Sequence, residues 1–176
     1  MRRTLLRMIL ASLLCAAPVA AEEEAPMLAR NHLFFELLGN GGVYSINYER
    51  FLTDRWALRL GFADWEAEGF WSDSEKNYLM VPVTSSLLFG QGSNFLEVGG
   101  GVVWGRITKD YDDNTLPRER RIVTNFTGIF GYRHQPPDGG FVFRVAFTPF
   151  YSLNDDDGWP DENFTPSLGI SWGGAF

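Results

Sequence analysis

The last thirteen residues constrain this chain more than any other stretch. From Phe164 to Phe176 the large apolar side chains Phe164, Leu168, Ile170, Trp172 and Phe176 share one parity. Ser167, Gly169, Ser171, Gly173 and Ala175 share the other, and Gly174 departs from the large set. A repeat of two is that of a strand with two unlike faces. Chain ends usually fray, so an aromatic final strand needs neighbours that hold it. A sheet closed on itself supplies them, and a barrel in lipid would also cover the apolar face.

The other end carries a sorting pattern. Arg2, Arg3 and Arg7 precede an apolar run from Met8 to Ala17, then Pro18-Val19-Ala20-Ala21 before Glu22. A basic start, a short apolar stretch and small residues at the break read as a secretory signal peptide over 1–21. The run is too short to span a bilayer as a helix. Leu13-Leu14 stands before Cys15 where lipid attachment would want a small residue, so a lipoprotein is not expected. Loss of 1–21 takes three Arg from a chain of net charge −7, which leaves −10, and removes its one Cys. So acidic a chain is not expected to bind nucleic acid. A small exported fold without disulfides needs another source of stability, and a closed strand network is one. The remainder suits a lead over 22–31 and one domain over 32–176.

Alternating stretches recur near 32–38, 43–51, 56–66, 78–89, 95–108, 121–134, 141–152 and 164–176. The fold class expected is all-β: an eight-stranded antiparallel up-and-down transmembrane β-barrel, preceded by the helical signal peptide. The connections alternate. Thr53-Asp54-Arg55, Gln91-Gly92-Ser93-Asn94 and 135–140 are tight, whereas Trp71 to Asn77, Asp110 to Arg120 and Asn154 to Asn163 are longer and charged. Gly39-Asn40-Gly41-Gly42 is a short glycine-rich hairpin. Pro82, Pro149 and Pro166 each remove a ladder donor, so bulges or strand ends are expected there, and Gly99-Gly100-Gly101 suggests a bulge or sharp curvature.

Two cylinders fit the alternation. A soluble lipocalin-like barrel turns the apolar face inward, and a membrane barrel turns it outward. Small residues on the polar face suit the crowded interior of an eight-stranded cylinder. Aromatic residues gather at both ends: Trp56, Phe89, Phe95, Tyr132, Phe141 and Phe176 near the short turns, and Tyr44, Trp65, Tyr78, Trp104, Tyr151 and Phe164 near the long loops. Two such belts match the two lipid–water interfaces. The membrane cylinder is therefore expected.

Its interior then carries Glu36, Glu49 and Glu97 against Arg59, Arg133 and Arg144. Guanidinium forks pair well with carboxylates in a confined space, so a lumenal ion-pair network is expected. It would also fix register. A slip by one residue turns these charges toward lipid, at about 2–4 kcal/mol for each Arg near the midplane. Glu49 and Arg133 sit closest to turns and are the two that an interfacial position would suit best.

Little else points to chemistry. His32 and His134 both fall at the short-turn rim, where interfacial or turn packing is expected of them. Neither has a hydroxyl nucleophile in evident reach, so no enzyme activity and no cofactor are expected. The loop 154–163 holds five acids, of which Asp155, Asp157, Asp161 and Glu162 make a weak Ca²⁺ set without EF-hand spacing. The Arg residues of the 110–120 loop could touch phosphates of lipopolysaccharide. The acceptor-like Asn125-Phe126-Thr127 and Asn163-Phe164-Thr165 are read as chance.

The stretch Phe35-Glu36-Leu37-Leu38-Gly39-Asn40-Gly41-Gly42, the following Tyr44-Ser45-Ile46-Asn47-Tyr48-Glu49-Arg50 and the ending Ser167-Leu168-Gly169-Ile170-Ser171-Trp172 resemble small outer-membrane barrels of the OmpA/OmpX type. The resemblance implies a bacterial outer-membrane location, membrane lipids and lipopolysaccharide as surroundings, and a monomer. It further implies recognition of Gly169, Trp172 and Phe176 by the barrel-assembly machinery. It implies a structural or surface-interaction role with a plugged lumen. A narrow pore, a lipid-A-modifying enzyme and a soluble binder are the rivals.

Overall fold

A computed structural model describes residues 29–68, 74–111, 119–153 and 163–176. Ten strand segments make eight staves. They are β1 (Asn31–Leu38), β2 (Tyr44–Phe51), β3 (Trp56–Glu68), β4 (Ser74–Gln91), β5 (Asn94–Tyr111) and β6 (Glu119–His134). The seventh stave is β7 (Gly140–Phe147) continued by β8 (Phe150–Ser152). The eighth is β9 (Phe164–Thr165) continued by β10 (Leu168–Ala175). Each stave pairs antiparallel with its sequence neighbour, and β10 pairs with both β7 and β1, which closes the cylinder. The closing seam sets Phe35 opposite Trp172 and Leu37 opposite Ile170. It ends where Asn31 N donates to Phe176 O at 3.0 Å and Phe176 N to Asn31 O at 2.8 Å.

The staves differ in length more than their hydrophobic runs indicate. β4 and β5 each have 18 residues, whereas β1 and β2 have 8. The extra length is polar, and polar residues above an apolar band carry no alternation for a pattern to detect.

No bulge forms at Gly99-Gly100-Gly101 or at Pro82, two of the places where the sequence suggests one. β5 pairs with β4 and β6 without interruption through Gly99-Gly100-Gly101. These glycines answer to close backbone approach instead: a Cβ on Gly101 would lie 2.6 Å from Thr84 Cα, and one on Gly100 2.8 Å from Thr127 O. Pro82 causes no bulge either. The β3–β4 register that pairs Leu60 with Val83 resumes unchanged at Ala63 and Met80, with only the intervening two rungs missing. Gly61 makes room for the ring, since a Cβ there would lie 2.6 Å from Pro82 Cγ. Pro149 and Pro166 do interrupt their strands. The register that pairs Phe147 with Leu168 and Phe150 with Thr165 places the two prolines opposite one another. The missing donors thus coincide, and Thr148 N donates to Ser167 O at 2.8 Å beside them.

Alternation assigns the walls. Leu58, Leu60 and Phe62 of β3 are exposed, while Ala57, Arg59 and Ala63 between them are buried. On β5 the outward set Leu96, Val98 and Trp104 is followed by exposed Arg106, and on β7 the outward set is Phe141, Val145 and Phe147. The interior is bulkier than small polar-face residues imply. Trp65, Tyr78 and Phe95, assigned from sequence to the aromatic belts, point inward and are buried. Trp65 stacks on Tyr78 at 4.1 Å near the long-loop end, above Met80, Val103 and Phe150. Phe51, Ala57, Leu88 and Phe95 form a second apolar layer at the short-turn end. The charged residues lie between the two.

Gly101→Ala should lower stability by about 1–3 kcal/mol, because its methyl meets backbone that cannot yield. Gly92→Ala, with φ of 68° and no atom within 4 Å of its Cβ, should lose only about 1 kcal/mol to left-handed strain. Urea midpoints of the refolded proteins in detergent micelles would rank the two.

Candidate functional site

The register brings the charged residues together. Glu49 lies opposite Arg59 across β2 and β3, and opposite His32 across β1 and β2. Arg133 lies opposite Arg144 across β6 and β7. Ser171 of β10 stands between Arg144 and Glu36. Glu97 of β5 faces Gly131. Six staves thus contribute charges to one lumenal layer, and a seventh contributes Ser171.

Glu97 is its hub. Arg144 grips it with both tines, Nε to Oε2 at 2.7 Å and Nη2 to Oε1 at 2.9 Å. Arg59 Nη2 donates to the same Oε1 at 3.1 Å, and Arg133 Nη1 lies 3.8 Å away. Glu49 is the second centre, with Arg133 Nη2 at 2.5 Å and Arg59 Nε at 3.4 Å. Glu36 is held more by dipoles. It accepts from Asn40 N at 3.1 Å and Ser171 Oγ at 3.1 Å, with Arg59 Nη1 3.6 Å away. All six charged side chains are at most 3% exposed, including Glu49 and Arg133, the two nearest to turns. Three carboxylates and three guanidiniums sum to zero, which is what water-poor surroundings demand of buried ions.

Aromatic faces take up part of the cationic charge. Arg59 and Arg144 each lie 5.0 Å from the centre of the Phe34 ring, and Arg133 lies 5.3 Å from that of Phe51. Phe34 is therefore the floor shared by two like-charged groups, a stabilising placement when desolvated.

Several participants were not singled out from sequence. His32 is fully buried, not at the interface: Nε2 lies 2.8 Å from Ala29 O, and Nδ1 lies 3.1 Å from Glu49 Oε1 and 2.5 Å from Arg133 Nη2. Its parity, shared with Phe34 and Glu36, was the available signal. Asn40 had none. The β1–β2 tip turns into the lumen with left-handed Leu38, Gly39 and Gly42 at φ of 53°, 87° and 90°. Asn40, 0% exposed, crosses to Thr127 of β6, its Nδ2 donating to Oγ1 at 2.6 Å. Trp65 Nε1 donates to Gly41 O at 3.1 Å. The tip caps the charged layer from the long-loop side. His134 lies apart, its Nδ1 3.0 Å from Asn94 Oδ1.

The Ca²⁺ candidates Asp155, Asp157, Asp161 and Glu162 lie outside the described residues. Gly169 faces inward and Trp172 outward on β10, and Phe176 ends the seam. Tyr44 Oη donates to Asp64 O, and Trp56 Nε1 to Ser85 Oγ at 2.6 Å, so belt residues on the outer wall bond along the wall itself.

A closed eight-stranded antiparallel cylinder with an apolar outer wall and a neutralised charged lumen has the fold of the OmpA/OmpX-type outer-membrane barrels. The N-terminal β-barrel domain of Pseudomonas aeruginosa OprF superposes with a TM-score of 0.59 at 18% identity, over 84% of this chain and 98% of that domain. Ail, the attachment invasion locus protein of Yersinia pestis, superposes at 0.52 with 14% identity, over 85% of this chain and all of that one. Its complex with the heparin analogue sucrose octasulfate gives 0.54 at 14% identity. No protein-family model and no curated protein sequence matches the chain.

Glu97→Gln leaves three guanidiniums short of one buried charge. It should destabilise the barrel by about 3–5 kcal/mol. Exposed Asp138→Asn should stay within about 0.5 kcal/mol of the parent. Urea titration followed by Trp fluorescence would compare them.

Proposed function

We propose that this chain is an integral β-barrel of the bacterial outer membrane that carries no channel and presents its long hairpins for surface contacts. The division of side chains between the two walls carries the reading. Side chains such as Leu60 and Phe62, each over half exposed, are held in place by an interior of salt bridges. Such a surface is stable only where something apolar covers it. On β5 the outward set runs nine residues from Leu96 to Trp104, which fits a tilted strand crossing a bilayer.

Length supports the surface role. An 18-residue strand at ~3.4 Å per residue and ~40° tilt rises on the order of 45 Å, against an apolar band of ~25 Å. The β3–β4 and β5–β6 hairpins therefore stand clear of the bilayer, while the β1–β2 tip ends near its surface. Residues 1–21 would direct export, and Gly169, Trp172 and Phe176 would be read by the assembly machinery. Arg106 and Arg120 occupy diagonal register positions just above Trp104, an arrangement of paired guanidiniums that suits contact with lipopolysaccharide phosphates. A monomer suffices, since the barrel closes within one chain. No cofactor or reaction enters this reading, as His32 already serves Ala29 O, Glu49 and Arg133.

The protein should fractionate with outer membranes and change gel mobility on heating. Reconstituted in planar bilayers it should show no steady conductance. Release as a soluble periplasmic protein would overturn the membrane reading, and stable open channels would overturn the plugged lumen.

A further inference from the structure

We propose that Lys76 and Lys109 form a binding site for a soluble phosphate monoester on the inner face of the β4–β5 wall, above the bilayer. The sequence holds two lysines among its 15 basic residues, and the ladder sets them directly opposite one another. Parity turns both inward: Lys76 alternates with buried Tyr78 and Met80, and Lys109 with buried Ile107. Two cations in direct cross-strand opposition weaken the pairing that carries them. In the charged layer below, every guanidinium faces a carboxylate. Among the described residues neither ammonium has an ion-pair partner.

The neighbouring inward positions leave a surplus of positive charge. On β6, Glu119 stands opposite Lys109, and Arg121 stands opposite Ile107 with its Nη2 3.9 Å from Glu119 Oε2. Three cations thus meet one acid, in a chain with 22 acids to 15 bases. Composition does not account for that surplus, and an anion of two charges would cancel it. A phosphate monoester carries about that charge at neutral pH. The use of lysine fits a tetrahedral oxyanion. Elsewhere a guanidinium fork meets a planar carboxylate edge-on, as Arg144 meets Glu97. An ammonium is a compact charge with three donors on a flexible stem. Opposed Cβ atoms in a ladder stand about 5 Å apart, so two such stems can converge on one phosphate from either side.

Floor and approach agree with this ligand. Tyr78 and Ile107, 7% and 4% exposed, occupy the inward row beneath the lysines, and Trp65 stacks on Tyr78. An apolar floor lowers the local dielectric on one side and strengthens the contact above it. Across the barrel the wall is low, since β1 ends at Leu38 and β2 begins at Tyr44. A ligand reaches the lysines over that edge, and its ester substituent points back across it. A phosphate anchored by acyl chains has no such route. Its chains lie against the outer wall, where exposed Arg106 and Arg120 stand.

The inference rests on the hairpins forming a surface, as proposed above. NMR of the ¹⁵N-labelled protein in detergent micelles tests it, with inorganic phosphate and then glycerol phosphate titrated against sodium chloride of equal ionic strength. Both phosphates should give saturable shifts of the backbone amides at 76–78 and 107–109, and chloride should give none. Lys76→Gln and Lys109→Gln should each weaken binding about tenfold, the loss of one charge-assisted contact. Arg106→Gln should leave it unchanged. Shifts that do not saturate, that chloride reproduces, that survive both lysine substitutions or that vanish with Arg106→Gln would overturn the proposal. So would phosphate that binds only when presented on lipid A micelles. The wild-type titration against chloride decides the matter even if a lysine variant fails to fold. A protein that fractionates with outer membranes yet binds neither phosphate would sink this site alone and leave the membrane reading intact.

Discussion

Everything in this barrel depends on the neutrality of a buried layer of ions. A carboxylate or guanidinium removed from water is stable only against a partner with good geometry. Here Arg144 meets Glu97 fork to fork, and Arg59 joins Glu97 to Glu49. Arg59 to Glu49 joins neighbouring staves, and the links to Glu97 join staves that are not sequence neighbours. Glu97 on β5 reaches β3 and β7, and Asn40 at the β1–β2 tip reaches β6. Backbone ladders define the circumference, and these side chains define the diameter. A barrel with one stave slipped by a residue would break both at once.

The layer is also isolated. Trp65, Tyr78, Met80 and Phe150 lie on one side of it and Phe51, Leu88 and Phe95 on the other. Apolar packing above and below keeps water from competing for the charges, which strengthens each pair as it raises the penalty for breaking one. The tip of the β1–β2 hairpin belongs to this seal. Its glycines at 39 and 42 take left-handed angles, and a Cβ on Gly39 would lie 2.7 Å from Glu36 Cδ. The shortest loop-side hairpin is therefore an internal part, not a surface one.

Period two made the eight staves, the closing strand and the charged parity legible, because a strand's faces are fixed by its backbone. Parity also held the answer for His32, which shares a face with Phe34 and Glu36, and for Trp65, which shares one with Arg59 and Ala63. Those aromatics were assigned by height along the strand, and height does not distinguish a belt from a plug. The upper parts of β4 and β5 were illegible for another reason. Where both faces are wet, the sequence has no cause to alternate. Asn40 was illegible because an inward turn is a matter of three dihedral angles, and the pattern Gly-Asn-Gly-Gly fits an outward one as well.

The prolines show how closure constrains sequence. In an open sheet Pro149 and Pro166 could each sit on an edge, but a cylinder has none. Their opposition in register lets one break in the ladder serve for both. It falls where the eighth stave runs beyond the end of β1: extending the seam that pairs Leu38 with Gly169 would place Pro166 beside the turn at 39–42, not beside a strand. Pro82 has no such escape, and the chain answers with Gly61 across from it. The same short β1–β2 hairpin that lets Asn40 fold into the lumen thus leaves β9 without a neighbour on that side. The rim is consequently uneven by construction, tall along β3 to β6 and low at β1 and β2, and any partner approaching from the loop side meets a wall with one low edge.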